Sequence, residues 1–165
     1  MFRNQYDQDV LTWSPQGRLH QVEYAMEAVK QGGAAVGCKN TEYVVLATLK
    51  RAASELSSSQ RKLFKIDDNV GIAISGLTAD GTAATKSLRG DCISHKFTFE
   101  SQVDVGRLAS RVADKAQIST QRAGSRPSGV GMLIAGVDGE GTHLFQTCPS
   151  GGAVQVDPST LGSRS

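Results

Sequence analysis

The side chains able to do nucleophilic or metal chemistry are few and scattered. Cys38, Cys92 and Cys148 stand far apart with no Cys-x-x-Cys pair, which argues against a structural zinc site and for a reducing compartment. A thiol attacks only as a thiolate, which needs a base or a positive field beside it. Nothing in the spacing brings His20, His95 or His143 to any of the three, so the cysteines read as buried, inert thiols. The histidines share no metal-ligand spacing, and neither a metal nor a cofactor is expected. There is no Gly-x-Ser-x-Gly elbow. Gly129-Val130-Gly131 leads into an apolar run, where a phosphate-binding loop would need a helix. The odd feature is the N-terminal arm, in which Tyr6, Asp7, Trp13, Pro15 and Tyr24 gather aromatics and an acid around the start of a helix. Such aromatics mark an interface, or they pack onto their own helix; on residue types alone both readings stand.

These residues must be positioned by elements readable from period. Ser14-Pro15 has the form of a helix start, with Ser as N-cap and Pro at the first position. Leu19, Val22, Met26 and Val29 follow as one apolar stripe, Glu27 and Lys30 pair across a turn, and Gly32-Gly33 ends the helix. Two hairpins are then expected. The first is Ala34–Cys38 with Tyr43–Leu49; the second is Lys62–Ile66 with Val70–Ser75 around Asp67-Asp68-Asn69. Residues 51–61 read as a serine-rich loop.

Thr78 is placed to cap a second helix carrying Ala79, Ala84, Leu88 and Cys92, weakened by Gly81 and Gly90. Ser101-Gln102-Val103-Asp104 has capping-box form and predicts a third helix over 102–118. Val130–Val137, a turn at Asp138-Gly139, Thr142–Thr147 and Ala153–Val156 complete the strands. The stretch from Ser159 to Ser165 resembles the lead-in to another helix. Paired strands separated by helices imply antiparallel sheets with helices outside. Two groups of strands need cover on both outer faces, and two helices cover one, so a further C-terminal part is expected.

Composition excludes several function classes. The chain has 165 residues, Lys+Arg 18 against Asp+Glu 16 and a net charge of +2. That is one domain's length without the basic footprint of a nucleic-acid binder. No apolar run reaches the roughly 18 residues of a membrane span, and the first residues lack the apolar core of a secretory signal.

The run Tyr6-Asp7-Gln8-Asp9-Val10, then Trp13 through Gly32 (WSPQGRLHQVEYAMEAVKQG), resembles the N-terminal signature of proteasome α-type subunits. The likeness continues through Leu49-Lys50-Arg51-Ala52, Ile74–Asp80, Gln117–Arg122, Arg126–Gly136 and Phe145–Ser150. It covers nearly the whole chain but only the front part of a family member. The resemblance implies a four-layer αββα sandwich of two antiparallel sheets, related to N-terminal-nucleophile hydrolases and incomplete at the C-terminus. It implies an arm over 1–13 and a domain over 14–165 opening with a ring-face helix over 14–31. The stripe on that helix would pack on the body and on a neighbour.

For function, the resemblance implies a non-catalytic α-ring subunit of the 20S core, in cytoplasm and nucleus, serving ring assembly, gating and docking in ubiquitin-dependent degradation. Partners would be the other α subunits of a seven-membered ring, β-ring subunits and regulatory particles, with no nucleic acid and no membrane. Tyr6, Asp7, Pro15 and Tyr24 would form the gate cluster. Gly32, Lys62 and Leu77 would line a pocket for activator tails, the lysine pairing with a terminal carboxylate. Hydrolytic relatives use a chain-terminal threonine at the head of the first strand, with a lysine and an aspartate. Here Gly32-Gly33-Ala34 precedes that strand, Leu49 takes the aspartate's place, and Lys62 alone matches. The alternatives are a threonine-type peptidase and a shortened form that does not assemble.

Overall fold

A computed structural model describes residues 5–50, 54 and 60–163. The expected loop over 51–61 therefore lies largely outside the described residues.

Two antiparallel sheets stack face to face. Strands β1 (Ala35–Lys39), β2 (Val44–Thr48) and β8 (Pro158–Leu161) form one, in the order β2-β1-β8. Strands β3 (Leu63–Lys65), β4 (Val70–Gly76), β5 (Val130–Asp138), β6 (Gly141–Thr147) and β7 (Ala153–Gln155) form the other, in that order. The period-two alternation of the central strands sorts side chains between two cores. Val70, Ile72 and Ile74 of β4, with Val130, Met132 and Ile134 of β5, turn toward helices α2 (Thr78–Phe99) and α3 (Val105–Ser119). Ala73, Leu133 and Ala135 turn the other way, to Ala35, Leu144 and Leu161 between the sheets. The fold class read from the residues holds, with two antiparallel sheets and helices outside.

Both helices lie on the five-stranded sheet. The outer face of the three-stranded sheet, where Val36, Cys38, Val45 and Ala47 are exposed, is uncovered among the described residues. Register sets Val36 beside Ala47 and Thr160, and Cys38 beside Val45 and Pro158.

Several expectations need correction. The first helix, α1 (His20–Gln31), starts at His20 and not at Ser14. Ser14 and Pro15 instead open a tight turn. Gly17 takes φ 73°, a left-handed value that ends any helix, and the Ser14 hydroxyl accepts the Arg18 N–H at 3.0 Å. The face α1 buries is His20, Ala25 and Val29, while Met26 is exposed. In α2 the buried line is Gly81, Thr85, Leu88 and Cys92, and Thr78 lies inside the helix, with Leu77 as its uncapped N-cap. Gly81 is there because a Cβ would come within 2.5 Å of Ile74 Cδ1, whereas Gly90 faces open space.

Asp104 stands at the N-cap of α3 without a side-chain bond, so the expected capping box does not form. Its work is done from across the fold. Asp138, at the end of β5, accepts the Val105 N–H at 3.1 Å, the Glu140 N–H at 3.0 Å and His143 Nε2 at 2.9 Å. Burial alone would raise the Asp138 pKa. The two backbone donors and the His143 ring outweigh it and hold the carboxyl below its ordinary range. Residues 158–161 form a strand and not a helix lead-in, because the open edge of β1 takes them as its antiparallel partner. Cys38 is exposed, since β1 alternates and its outer side is uncovered among the described residues; Cys92 is buried and Cys148 half-buried.

Candidate functional site at the two ends of helix α1

Helix α1 lies across the end of the sheets, packed against β4 and β5, and the expected site residues gather at its two ends. At the N-terminal end, the Tyr24 hydroxyl donates to Asp7 Oδ2 at 3.0 Å, and the Gln21 side-chain amide donates to the Asp7 carbonyl. The arm is thus tied to the first two turns of α1. Tyr6 precedes Asp7 in the chain and is half-buried; Pro15 stands exposed on the turn that begins at Ser14. Trp13 is also exposed, at 63%. Arg18 grips Glu23 with two bonds of 2.7 Å. That grip holds the Glu23 carboxyl below the usual range and raises Arg18. A surface cavity of about 610 Å³ lies between α2 and α3, and one of about 520 Å³ opens beside Arg18, Glu23, Tyr24 and Met26.

The C-terminal end is organised by Ser75, a serine inside an otherwise apolar strand. Its buried hydroxyl donates to the Val29 carbonyl at 3.0 Å and lies 3.3 Å from the Gly33 carbonyl. Helix end, linker and β4 are thereby pinned together. Gly32 is required here, because a Cβ would collide with the Gly76 nitrogen and Ser75 Oγ. Its carbonyl accepts the Ser163 N–H at 2.7 Å, which ties the residues after β8 to the same corner. The Lys62 ammonium fills the space that a Cβ on Gly33 would need. Leu77 follows Gly76, is 48% exposed, and packs its side chain against Gly129. Gly32, Lys62 and Leu77 therefore do meet at one corner, combining backbone clearance, a cation and an apolar surface.

Two further features escaped the sequence reading. Asp80, in the first turn of α2, holds Arg126 through a pair of 2.7 Å bonds and accepts the Gly129 N–H at 2.9 Å. The Arg126 bonds, offset in part by burial, keep Asp80 below its ordinary range. This clamp fixes the loop before β5 and, through the Leu77 N–H to Gly129 carbonyl bond of 2.9 Å, the position of Leu77. Both residues lie in the stretches that carry the family likeness, but only tertiary structure pairs them across 46 positions. The second feature is His20, buried at the foot of the arm.

The chain's sequence matches the family model described as proteasome subunit over residues 29–165, and over residues 6–28 the model of the N-terminal signature of A-type proteasome subunits. It is 56% identical over its whole length to the alpha type-1 proteasome subunit of Dictyostelium discoideum, covering 66% of that protein. It is 52% identical to the alpha type-1 proteasome subunit of Drosophila melanogaster, covering 59% of it. It is 53% identical to the probable alpha type-6 proteasome subunit of Schizosaccharomyces pombe, covering 61%. The chain thus spans about three-fifths to two-thirds of the length of these relatives. With an α-type signature on its arm and first helix and a subunit model matched through both sheets, the chain belongs to the proteasome subunit family.

Proposed function

We propose that the chain acts as a non-catalytic α-ring subunit of the 20S proteasome core. The observation that carries this reading is at the head of β1. A terminal-nucleophile hydrolase needs a hydroxyl and a free amine there. This chain has Gly32 and Gly33, the Lys62 ammonium fills the Cβ space of Gly33, and α1 and the arm precede both. Leu49 supplies no carboxylate. The relatives carrying the alpha type-1 name support the same reading.

In this role the chain takes its place among the other α subunits of a seven-membered ring, stacks on β-ring subunits and receives regulatory particles. It does so in cytoplasm and nucleus, in ubiquitin-dependent protein degradation. Tyr6, Asp7, Pro15 and Tyr24 set the open gate, and the Tyr24–Asp7 bond supports that assignment. Gly32, Lys62 and Leu77 receive an activator's C-terminal tail, whose carboxylate pairs with the Lys62 ammonium. The outer face of the three-stranded sheet, uncovered among the described residues, favours a second reading, in which the chain by itself does not enter a ring. A fluorogenic-peptide assay on the isolated chain tests the non-catalytic reading. Turnover at background level is expected; robust turnover abolished by a threonine-directed inhibitor overturns it.

A further inference from the structure

We propose that His20 is a protonation switch that sets how firmly the N-terminal arm is held on α1. The consequence for gating rests on the gate reading above; the switch itself rests on geometry. His20 is 5% exposed, and its Nδ1 is buried without a hydrogen-bond partner among the described residues. That nitrogen faces Glu23 Oε2 at 3.6 Å, too long for a hydrogen bond but suited to an ion pair once the ring is charged. Glu23 is kept ionised by its two bonds from Arg18. On its other side the His20 ring stacks on Tyr24, with centroids 6.2 Å apart and planes 21° apart. Tyr24 in turn holds Asp7 of the arm at 3.0 Å. Among the described residues, the charged and titratable groups around the ring are thus Glu23, Arg18 and Tyr24 on α1 and its lead-in, with Asp7 from the arm behind the Tyr24 hydroxyl.

In the neutral ring, Nδ1 is either a buried lone pair turned on a carboxylate or an N–H without an aligned acceptor, and both are unfavourable. Uptake of one proton from solvent puts N–H groups on both ring nitrogens and a charge on the ring. The ring then closes toward Glu23 to make a charge-assisted hydrogen bond. The new positive charge also attracts the Asp7 carboxylate behind the Tyr24 hydroxyl, and that attraction holds the arm more firmly on α1. The arm is therefore held more firmly when the ring is charged than when it is neutral.

The test is amide hydrogen exchange of residues 5–12 in the full chain at about pH 7.5 and about pH 5.5, corrected for the intrinsic pH dependence of exchange. Protection is expected to rise about fivefold on acidification, the ratio that about 1 kcal/mol of added attraction gives. His20→Phe and Glu23→Gln are each expected to reduce that response to less than about twofold. A second readout needs no variant: the Nδ1 resonance of His20 in the native chain must titrate with the same midpoint as arm protection. A fivefold rise that persists in His20→Phe overturns the switch, as do midpoints about one pH unit or more apart. Failure of the gate reading is distinguishable. Peptide entry into assembled particles that ignores loss of the arm would refute gating and leave the exchange result intact.

Discussion

Replacing Asp138 by Ala removes the cap of a helix from a residue 33 positions away. Three bonds go at once: to the Val105 N–H, to the Glu140 N–H and to His143 Nε2. Loss of a side-chain N-cap costs about 1 kcal/mol. Val105 is fully buried, so its orphaned N–H puts that cost at the upper end, about 2 kcal/mol. The half-buried His143 loses its acceptor as well. The sum is about 2–4 kcal/mol, or a Tm lowered by about 5–15 °C for a domain of this size. Asp104→Ala, at the residue local sequence nominates as part of the cap, is expected to cost about 0.5 kcal/mol or less, since it makes no cap bond. Urea titration of both variants is the assay.

The pH dependence adds a second constraint on Asp138. Its folded pKa is depressed, so its contribution is present above the unfolded value of about 3.9. It is lost as pH falls through the lower folded value. The stability gap between the native chain and Asp138→Ala should therefore hold from neutral pH down to about 4 and close in stronger acid. Equal costs for the two aspartates, or a gap that widens in acid, would show that Asp138 is not the cap of α3.

Glycine substitutions should split by environment. Gly32→Ala has no room beside Ser75 and Gly76 and is expected to cost about 2–4 kcal/mol. Gly90→Ala faces open space in a helix and is expected to gain about 0.5–1 kcal/mol; thermal melts check both. The Cys92 thiol is pushed up to about 11, chiefly by burial. In the native chain Cys38 should therefore take up iodoacetamide while Cys92 stays unmodified, as peptide mass mapping will read. Tyr24→Phe removes the exposed bond to Asp7. It should change global stability by about 0.5 kcal/mol or less while arm exchange accelerates about two- to fivefold.

Much of the fold was legible in residue patterns because the strands carry their own period. Val130–Val137 read as a buried strand, and the turn at Asp67-Asp68-Asn69 appears where polar turn formers interrupt two apolar runs. What local pattern could not supply came from partners distant in sequence. Ser101-x-x-Asp104 has the letters of a capping box, yet Asp138 reaches Val105 first. Residues 158–161 become a strand only because β1 offers a free edge. Ser14-Pro15 looks like a helix start, but Gly17 in the left-handed region turns the chain before a helix can form.

Family likeness pointed to Tyr6, Asp7, Pro15 and Tyr24, and to Gly32, Lys62 and Leu77; the fold bonds Tyr24 to Asp7 and sets Gly32, Lys62 and Leu77 around one corner. Ser75, which pins the corner, and the Asp80–Arg126 clamp give no local signal, because each acts on backbone or side chains brought near only by tertiary structure.

Co-expression with proteasome α-type partners, followed by native mass spectrometry, bears most directly on the α-ring assignment. This chain is expected at one copy within an α ring, contributing no peptidase turnover of its own. A chain that stays monomeric and hydrolyses peptides in isolation overturns the assignment.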